Sequence, residues 1–376
     1  MRFGPMSSMP LAKTRSIGLS KARKLAQAAM GQVAEGVDPA KVKQQAKVTA
    51  KAKKLSTVST LIESYLEDAA RGRHKPNGRP KRLGTLKLER EYFDRVIAPR
   101  LGKLPLSSLT RHDVQRLLDE VGGRAPASAR HSRNLIRQAY NYAIRRDAAA
   151  SNPAQFAELP RPHPRERVLT DEELRLIWAA AQNPAAVPGL NMSVGMGLAI
   201  CLALVTLQRG GEVCGLHASE LDREAKLWTI PAERTKNHRT HVVPLSPLAL
   251  EILAGAFALT GRDTSWASFA FPSPRSDAPM TRHALSRAMK RLTRSVGIED
   301  ATAHDFRHTG ATNITSERIA IPRFVVSRVL NHISDTGDSA VVTGVYDRNA
   351  YLPEKRRALM AWAALLQEIV EKRDGT

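Results

Sequence analysis

Ala303-His304-Asp305-Phe306-Arg307-His308-Thr309 lies in a part of the chain whose pattern is mainly helical. On a helix, His304 and Arg307 stand three residues apart and share one face. His304 and His308, at i and i+4, also have the spacing of a helical metal pair. No acidic or Cys partner stands at ligand spacing, however, and the Arg307 cation alongside would repel a metal ion. The stretch therefore reads as a helix that presents imidazole and guanidinium groups and holds no metal.

Three further clusters surround it. Upstream, Thr206-Leu207-Gln208-Arg209-Gly210-Gly211-Glu212 closes an apolar run of fourteen residues from 194 to 207. An Arg following such a run is costly unless it is paired or functional, and Glu212 is its natural partner. Alone, this reads rather as a structural ion pair. Next, residues 226–230 and 241–245 alternate as two short strands, with the polar Thr235-Lys236-Asn237-His238-Arg239 between them. Lys236 at such a tip is either solvated or able to reach into a groove. Downstream come Leu330-Asn331-His332, then Val345-Tyr346, with Tyr351 five residues later. A single Tyr more often serves amphipathic packing than nucleophilic attack.

Bulk properties narrow the partners. The chain has 376 residues, which suits two to three domains, and 42% hydrophobic residues, which suits ordinary buried cores. Lys and Arg number 58 against 36 Asp and Glu, a formal charge of +22. Such a field attracts polyanions, but charge alone leaves DNA, RNA and an anionic membrane surface open. Cys201 and Cys214 sit among apolar neighbours without CxxC spacing, which excludes a disulfide scaffold and fits a reducing cytoplasm. The apolar run at 194–207 falls short of the ~20 residues that span a bilayer, so it reads as a core helix. The first twenty residues lack the apolar centre of a signal peptide.

Residues 1–54 carry twelve Lys and Arg against Glu35 and Asp38, a net of +10, with a helical pattern at 20–36. Residues 55–153 read as a helical domain. Ser56 and Thr57 start a helix through Leu61, Ile62, Tyr65 and Leu66, and residues 72–84, with Pro76, Gly78 and Pro80, form a loop. Thr85 starts a second helix through Leu88, Tyr92, Phe93 and Val96, and Thr110 caps a third that Gly122-Gly123 stops. A fourth spans 128–146, with Leu135, Ile136, Ala139, Tyr140 and Ala143 on one side and Arg130, Arg133, Arg137, Arg145 and Arg146 on the other. That basic face suits a DNA contact or a merely solvated surface. Prolines at 153, 160, 162 and 164 mark a linker over 153–166. Beyond it, Thr170-Asp171-Glu172-Glu173 is a capping box for a helix with Leu174, Ile177 and Trp178. The fold class expected is mainly α with a small antiparallel β-sheet.

Taken in order, Arg209 with Glu212, Lys236 in a strand turn, His304-Asp305-Phe306-Arg307-His308-Thr309, Leu330-Asn331-His332 and Tyr346 closely resemble the catalytic signature of the tyrosine recombinase (phage integrase) family. The resemblance covers residues 165–365. The stretch from 346 to 362, with Glu354-Lys355-Arg356-Arg357 and Ala361-Trp362, is similar to integrases of prophages and genomic islands. Arg2-Phe3-Gly4-Pro5-Met6, Ala22-Arg23 and Gly36-Val37-Asp38-Pro39 resemble the end of their arm-type DNA-binding domain, whose start is missing. Two positions depart from the family pattern: Gln208 replaces the usual Leu, and Asn331 the common Gly.

The resemblance implies three segments: an arm-type remnant at 1–54, a helical core-type DNA-binding domain at 55–153, and an integrase/topoisomerase-IB-like catalytic domain at 165–376. It implies that Tyr346 attacks the scissile phosphorus and forms a 3′-phosphotyrosyl bond, so that rejoining needs no ATP. Arg209 and Arg307 clamp the non-bridging oxygens, Lys236 protonates the leaving 5′-oxygen, and His304 and His332 place protons around the phosphate. Glu212 holds Arg209, His308 is structural, and no metal or other cofactor takes part. The implied partners are double-stranded DNA attachment sites, met by four protomers on two duplexes in the nucleoid, with accessory DNA-bending proteins, no membrane, and a free monomer. A C-terminal helix over 353–372 is the element exchanged between protomers. A non-catalytic DNA-binding regulator and a strand-relaxing, topoisomerase-like enzyme are the alternatives.

Overall fold

Two side-chain hydroxyls open the first helix. Thr57 accepts from the Thr60 amide at 3.3 Å, and Thr60 in turn accepts from the Thr57 amide at 3.0 Å, a reciprocal cap that starts α1, Val58–Ala70. This helix is seen in a computed structural model of the protein, which describes residues 56–76, 78, 80–160, 166–259, 268–274, 276, 278–332 and 350–372, with Arg23, Gln27 and Met30. Those three isolated residues are helical. The remainder of the expected helix at 20–36, the basic stretch that follows it, and Tyr346 lie outside the described residues. The chain divides into two compact units, Met1–His163 and Pro164–Thr376.

In the first unit α1 is followed by α2, Leu83–Tyr92, a single π turn, Phe93–Ile97, and α3, Ala98–Leu101, in one continuous rod. The rod begins two residues before Thr85, and Leu88 is exposed, contrary to the expected apolar stripe; Phe93, Ile97 and Leu101 are the residues it buries. The π turn precedes Pro99, which has no N–H to give the carbonyl four residues back, so a wider turn is tolerated there. Thr110 caps α4, Arg111–Gly122, through the Asp113 amide and carboxylate. The fourth helix, α5, Pro126–Ile144, starts earlier than expected because Pro126 supplies a ready first-turn residue. Its Leu135, Ile136, Ala139 and Tyr140 join Leu61, Ile62 and Tyr65 of α1 in one core.

Two expectations fail in this unit. Ala154 and Ala157 are buried in the same core, so the chain up to that point belongs to the helical unit rather than to a linker. Asn152 fixes it there, donating to the Arg137 carbonyl at 2.9 Å and accepting from the Ala154 amide at 3.0 Å. Arg146 does not share the basic face of α5. The helix ends at Ile144, and the Arg146 guanidinium turns back over the Tyr142 ring, 3.7 Å from its centre, to meet Asp68 of α1 at 3.3 Å.

The second unit is built around α7, Val194–Thr206, which follows α6, Asp171–Gln182, with its Thr170–Glu173 capping box. From Met196 to Thr206 every residue of α7 is buried, as a helix apolar on all sides requires. Gly197 is needed for this packing, since a Cβ there would lie 1.9 Å from the Ala181 carbonyl oxygen of α6. A short helix, α8, Gly210–Cys214, leads into a three-stranded antiparallel sheet, β1 Leu221–Asp222, β2 Leu227–Ile230 and β3 His241–Pro244. Trp228 pairs with Val243 in this sheet and is fully buried. Then follow α9 Pro247–Leu259, α10 Arg282–Ser295, α11 Asp305–Thr315, α12 Arg323–Val329 and α13 Leu352–Glu371.

Within this chain the last helix packs as a core element. Trp362 is 0% exposed and donates to the Leu204 carbonyl of α7 at 2.9 Å. Ala358, Leu359 and Leu366 are buried with it. Lys355 is buried too, donating to the Val242 carbonyl of β3 at 2.5 Å. Burial lowers its ammonium pKa to about 8, with Arg328 adding to the shift. Each large apolar side chain buried here contributes about 1.5–3 kcal/mol, so detaching α13 would cost many of them at once. Among the described residues, no helix is long and apolar enough to cross a membrane.

Candidate active site

The end of α7 places the first arginine. Leu207 takes a left-handed conformation, φ 56°, which stops the helix and turns the chain so that Arg209 becomes the N-cap of α8. Glu212 holds it twice: one carboxylate oxygen accepts the Arg209 amide at 3.0 Å, and the other accepts Nη1 at 3.2 Å. Glu212 is 3% exposed while the Arg209 side chain is half-buried. The carboxylate is thus fixed below, and the guanidinium is left facing outward. Arg234 braces the turn, donating to the Glu212 carbonyl at 2.5 Å and pairing with Glu220.

The second arginine comes from α11. Asp305, the first residue of this helix, ties it to the preceding turn by accepting from the Thr302 amide and hydroxyl at 2.7 and 2.8 Å. Gly310 lets α11 approach the Leu207 turn: a Cβ there would fall 2.4 Å from the Leu207 side chain. Arg307, 3% exposed, donates from Nη1 to the Leu207 carbonyl at 2.5 Å and from Nη2 to the Leu330 carbonyl at 2.6 Å. Nη2 also lies 3.2 Å from His332 Nε2. The Arg307 Nε is buried without a partner. Burial first, then Arg209, lowers the Arg307 pKa to about 10, with Glu212 opposing. It stays charged at neutral pH.

His332 is held against that cation. Burial, followed by the charges of Arg307 and Arg209, lowers its pKa to about 4, so it is neutral at pH 7 and can accept from Arg307. His304, at the N-cap of α11, is also shifted down, by burial and then Arg307. His308 is exposed, and its ring meets His304 edge-on at 5.4 Å. Behind the site His241 of β3 is buried and donates to the Val329 carbonyl across 3.1 Å. Burial, then Lys355, pulls its pKa down to about 3.

Arg209, Lys236, His304 and Arg307 line one cleft of about 1120 Å³. Arg282, His283, Lys290 and Arg294 of α10 line the same cleft. These basic residues were missed in the sequence, though their helical spacing was a usable signal. Six Lys and Arg line the cleft against Glu299 and Asp300, so it carries excess positive charge suited to an anion. Among the described residues, no group of three or more His, Cys, Asp or Glu could hold a metal ion. Both departures at the signature have local reasons. Gln208 donates to the Thr206 and Val329 carbonyls at 2.7 and 3.2 Å, joining the end of α7 to α12. Asn331 occupies a left-handed position, φ 51°, which Gly and Asn adopt most readily.

Comparison with known proteins fits this geometry. The profile of the "Phage integrase family" matches residues 167–339, and that of the "Phage integrase central domain" matches residues 69–158. Prophage integrase IntZ of Escherichia coli (strain K12) is 27% identical over 285 residues, covering 75% of this chain and 66% of IntZ. Prophage integrase IntA of the same strain is 26% identical over 282 residues, covering 73% of this chain and 63% of IntA. The match therefore spans just under two thirds of each relative. Among solved structures, a lambda integrase tetramer bound to a Holliday junction superposes with a TM-score of 0.60 at 21% identity, over 85% of this chain and 90% of that one. The Tn1549 transposon integrase in complex with circular intermediate DNA gives 0.56 at 19% identity, over 80% and 98%. The fold is the one these integrases share.

Proposed function

The chain belongs to the phage integrase family of tyrosine recombinases, and from that premise we propose that it is a site-specific DNA recombinase that integrates or excises a mobile element. The observation that carries this reading is the convergence of Arg209, Lys236, His304 and Arg307 on one cleft, with His332 against Arg307. The Tyr346 hydroxyl attacks the scissile phosphorus, a P–O bond to tyrosine forms, and the P–O5′ bond breaks. Lys236 gives the departing O5′ its proton, and a neutral imidazole takes the tyrosine proton. Arg209 and Arg307 face the non-bridging oxygens, where charge grows in the transition state. They are already oriented, by Glu212 and by the Leu207 and Leu330 carbonyls, so little reorganisation is needed.

The DNA partner is a double-stranded attachment site, contacted by Arg130, Arg133, Arg137 and Arg145 of the first unit. Recombination of two duplexes calls for four protomers, one per strand cleaved, assembled on DNA in the nucleoid from monomers and helped by DNA-bending proteins. Incubating the protein with a nicked candidate attachment-site duplex and running a denaturing gel tests the chemistry. A protein–DNA adduct is expected; tight binding with no adduct at any site would favour a non-catalytic regulator. Because guanidinium groups neutralise the phosphate here, cleavage should continue in excess EDTA, and a strict Mg²⁺ requirement for the adduct would contradict the mechanism.

A further inference from the structure

The strand turn that carries Lys236 is tied to the turn that carries His332. Asn237, next to Lys236, donates from Nδ2 to the Asn331 side-chain oxygen at 2.6 Å and to the Asn331 carbonyl at 3.4 Å. Asn331, next to His332, returns a donor to the Asn237 side-chain oxygen at 3.4 Å. The two amides face each other 94 residues apart in sequence. Nothing in the backbone demands this pair: a glycine would satisfy the φ of 51° at position 331 and would add no bond.

The rest of the turn is braced within itself. Thr235 donates to the Arg239 carbonyl at 2.8 Å and accepts the Arg239 amide at 3.1 Å. Those bonds set the local shape of residues 235–239 but do not fix its tip against the remainder of the unit. The Asn237–Asn331 pair crosses from that tip to another part of the site. Lys236 is exposed in the cleft, and a lysine is a flexible point charge whose aim depends on where its backbone is held.

We infer that Asn237 and Asn331 form a clasp that positions Lys236 relative to the Arg307–His332 pair and thereby sets the delivery of its proton to the leaving 5′-oxygen. The inference rests on the reading of Lys236 as the proton donor. Asn237 and Asn331 are positioning residues: neither needs to touch the phosphate. An asparagine at 331 thus does two things that a glycine does separately or not at all, filling the left-handed position and bridging to the hairpin.

Leaving-group chemistry separates positioning from scaffolding. When sulfur replaces the scissile 5′-oxygen, the P–S bond breaks to a stable thiolate that needs no proton, so proton delivery ceases to limit the step. With ordinary DNA, Asn331→Gly and Asn237→Ala should each slow adduct formation about three- to tenfold, the worth of one neutral hydrogen bond. The double variant should be no slower than the slower single one. With the 5′-sulfur DNA, all three should match the parent chain. Equal slowing on both substrates would reduce the pair to a scaffold, and no slowing on ordinary DNA would make it incidental; either result overturns the proposal. Lys236→Ala run alongside distinguishes the underlying reading. Rescue of that variant by sulfur keeps Lys236 as donor, whereas equal slowing on both substrates removes the donor and, with it, the purpose of the clasp.

Discussion

The arginines of α5 and the arginine of α11 meet opposite surroundings. Arg137 and Arg145 are exposed, while Arg130 and Arg133 are half-buried, Arg133 donating to the Gln155 carbonyl at 3.4 Å. Arg307 is almost wholly enclosed, with Nη1 and Nη2 both committed to carbonyls. The exposed groups keep their water until an anion arrives, and what they add to binding is mostly released counterions. The enclosed group was desolvated and aimed when the chain folded. It can therefore stabilise charge that develops in a reaction without rearranging first. Residue type alone does not separate adhesion from chemistry here; burial and the bonds made beforehand do.

Removing the enclosed group should have the largest effect. Arg307→Ala is expected to lower the rate of adduct formation by about 10²–10³, in line with loss of one aimed oxyanion donor, while DNA affinity changes modestly. Arg307→Lys should not restore the rate, because a point charge cannot reach the Leu207 and Leu330 carbonyls together. Single-turnover cleavage and equilibrium binding of the same samples check this. A parallel fall in both would erase the distinction between the two kinds of arginine.

Acid should come next, acting on the second unit through His241. Its pKa is about 3 when folded and 6.5 when unfolded, so the folded state resists the proton that the unfolded state takes. Stability is fully present above pH 6.5 and is lost as pH falls from there towards 3, by about 2 kcal/mol at pH 5. His241→Gln keeps a donor for the Val329 carbonyl and should flatten that slope. Denaturant titrations of the second unit's transition at pH 7 and pH 5 measure it; an unchanged slope in the variant would clear His241 of the role.

The smallest effect belongs to the exposed face. Replacing Arg130 and Arg137 together should weaken binding to all sequences alike and reduce the slope of log affinity against log salt by about 1 per lost phosphate contact. Single-turnover cleavage at saturating protein should hardly move. An unchanged salt slope would mean that this face is only solvated surface.

Much of this division was legible beforehand because it rests on local signals. Thr57, Thr110 and Thr170 marked helix starts through capping bonds that span three residues, and the all-apolar run at α7 marked the centre of the second unit. The order of Arg209, Lys236, His304, Arg307 and His332 pointed to one site before any geometry was known. What escaped depended on distant partners or on register. The π turn at Phe93–Ile97 left no pattern of its own, and β1 is only two residues long, defined by pairing with β2. Arg146 looked like a member of the basic face until the helix ended at Ile144 and Asp68 claimed its side chain. The packing of α13 escaped because the partners of Trp362 and Lys355 lie more than a hundred residues away, at Leu204 and Val242.

The assignment of the nucleophile to Tyr346 is the step most open to direct test. Tyr351 is the nearby rival, and it is occupied with packing: it caps α13 with φ 49°, its ring meets Phe324 edge-on at 5.7 Å, and the Arg328 guanidinium lies 5.3 Å from its centre. The decisive measurement is adduct formation on a nicked attachment-site duplex by the parent chain, Tyr346→Phe and Tyr351→Phe, with the modified peptide sequenced. A phosphotyrosine at position 346 is expected, with no adduct from Tyr346→Phe despite near-parental DNA binding, and a persisting adduct from Tyr351→Phe. An adduct that survives in Tyr346→Phe and disappears in Tyr351→Phe would contradict it.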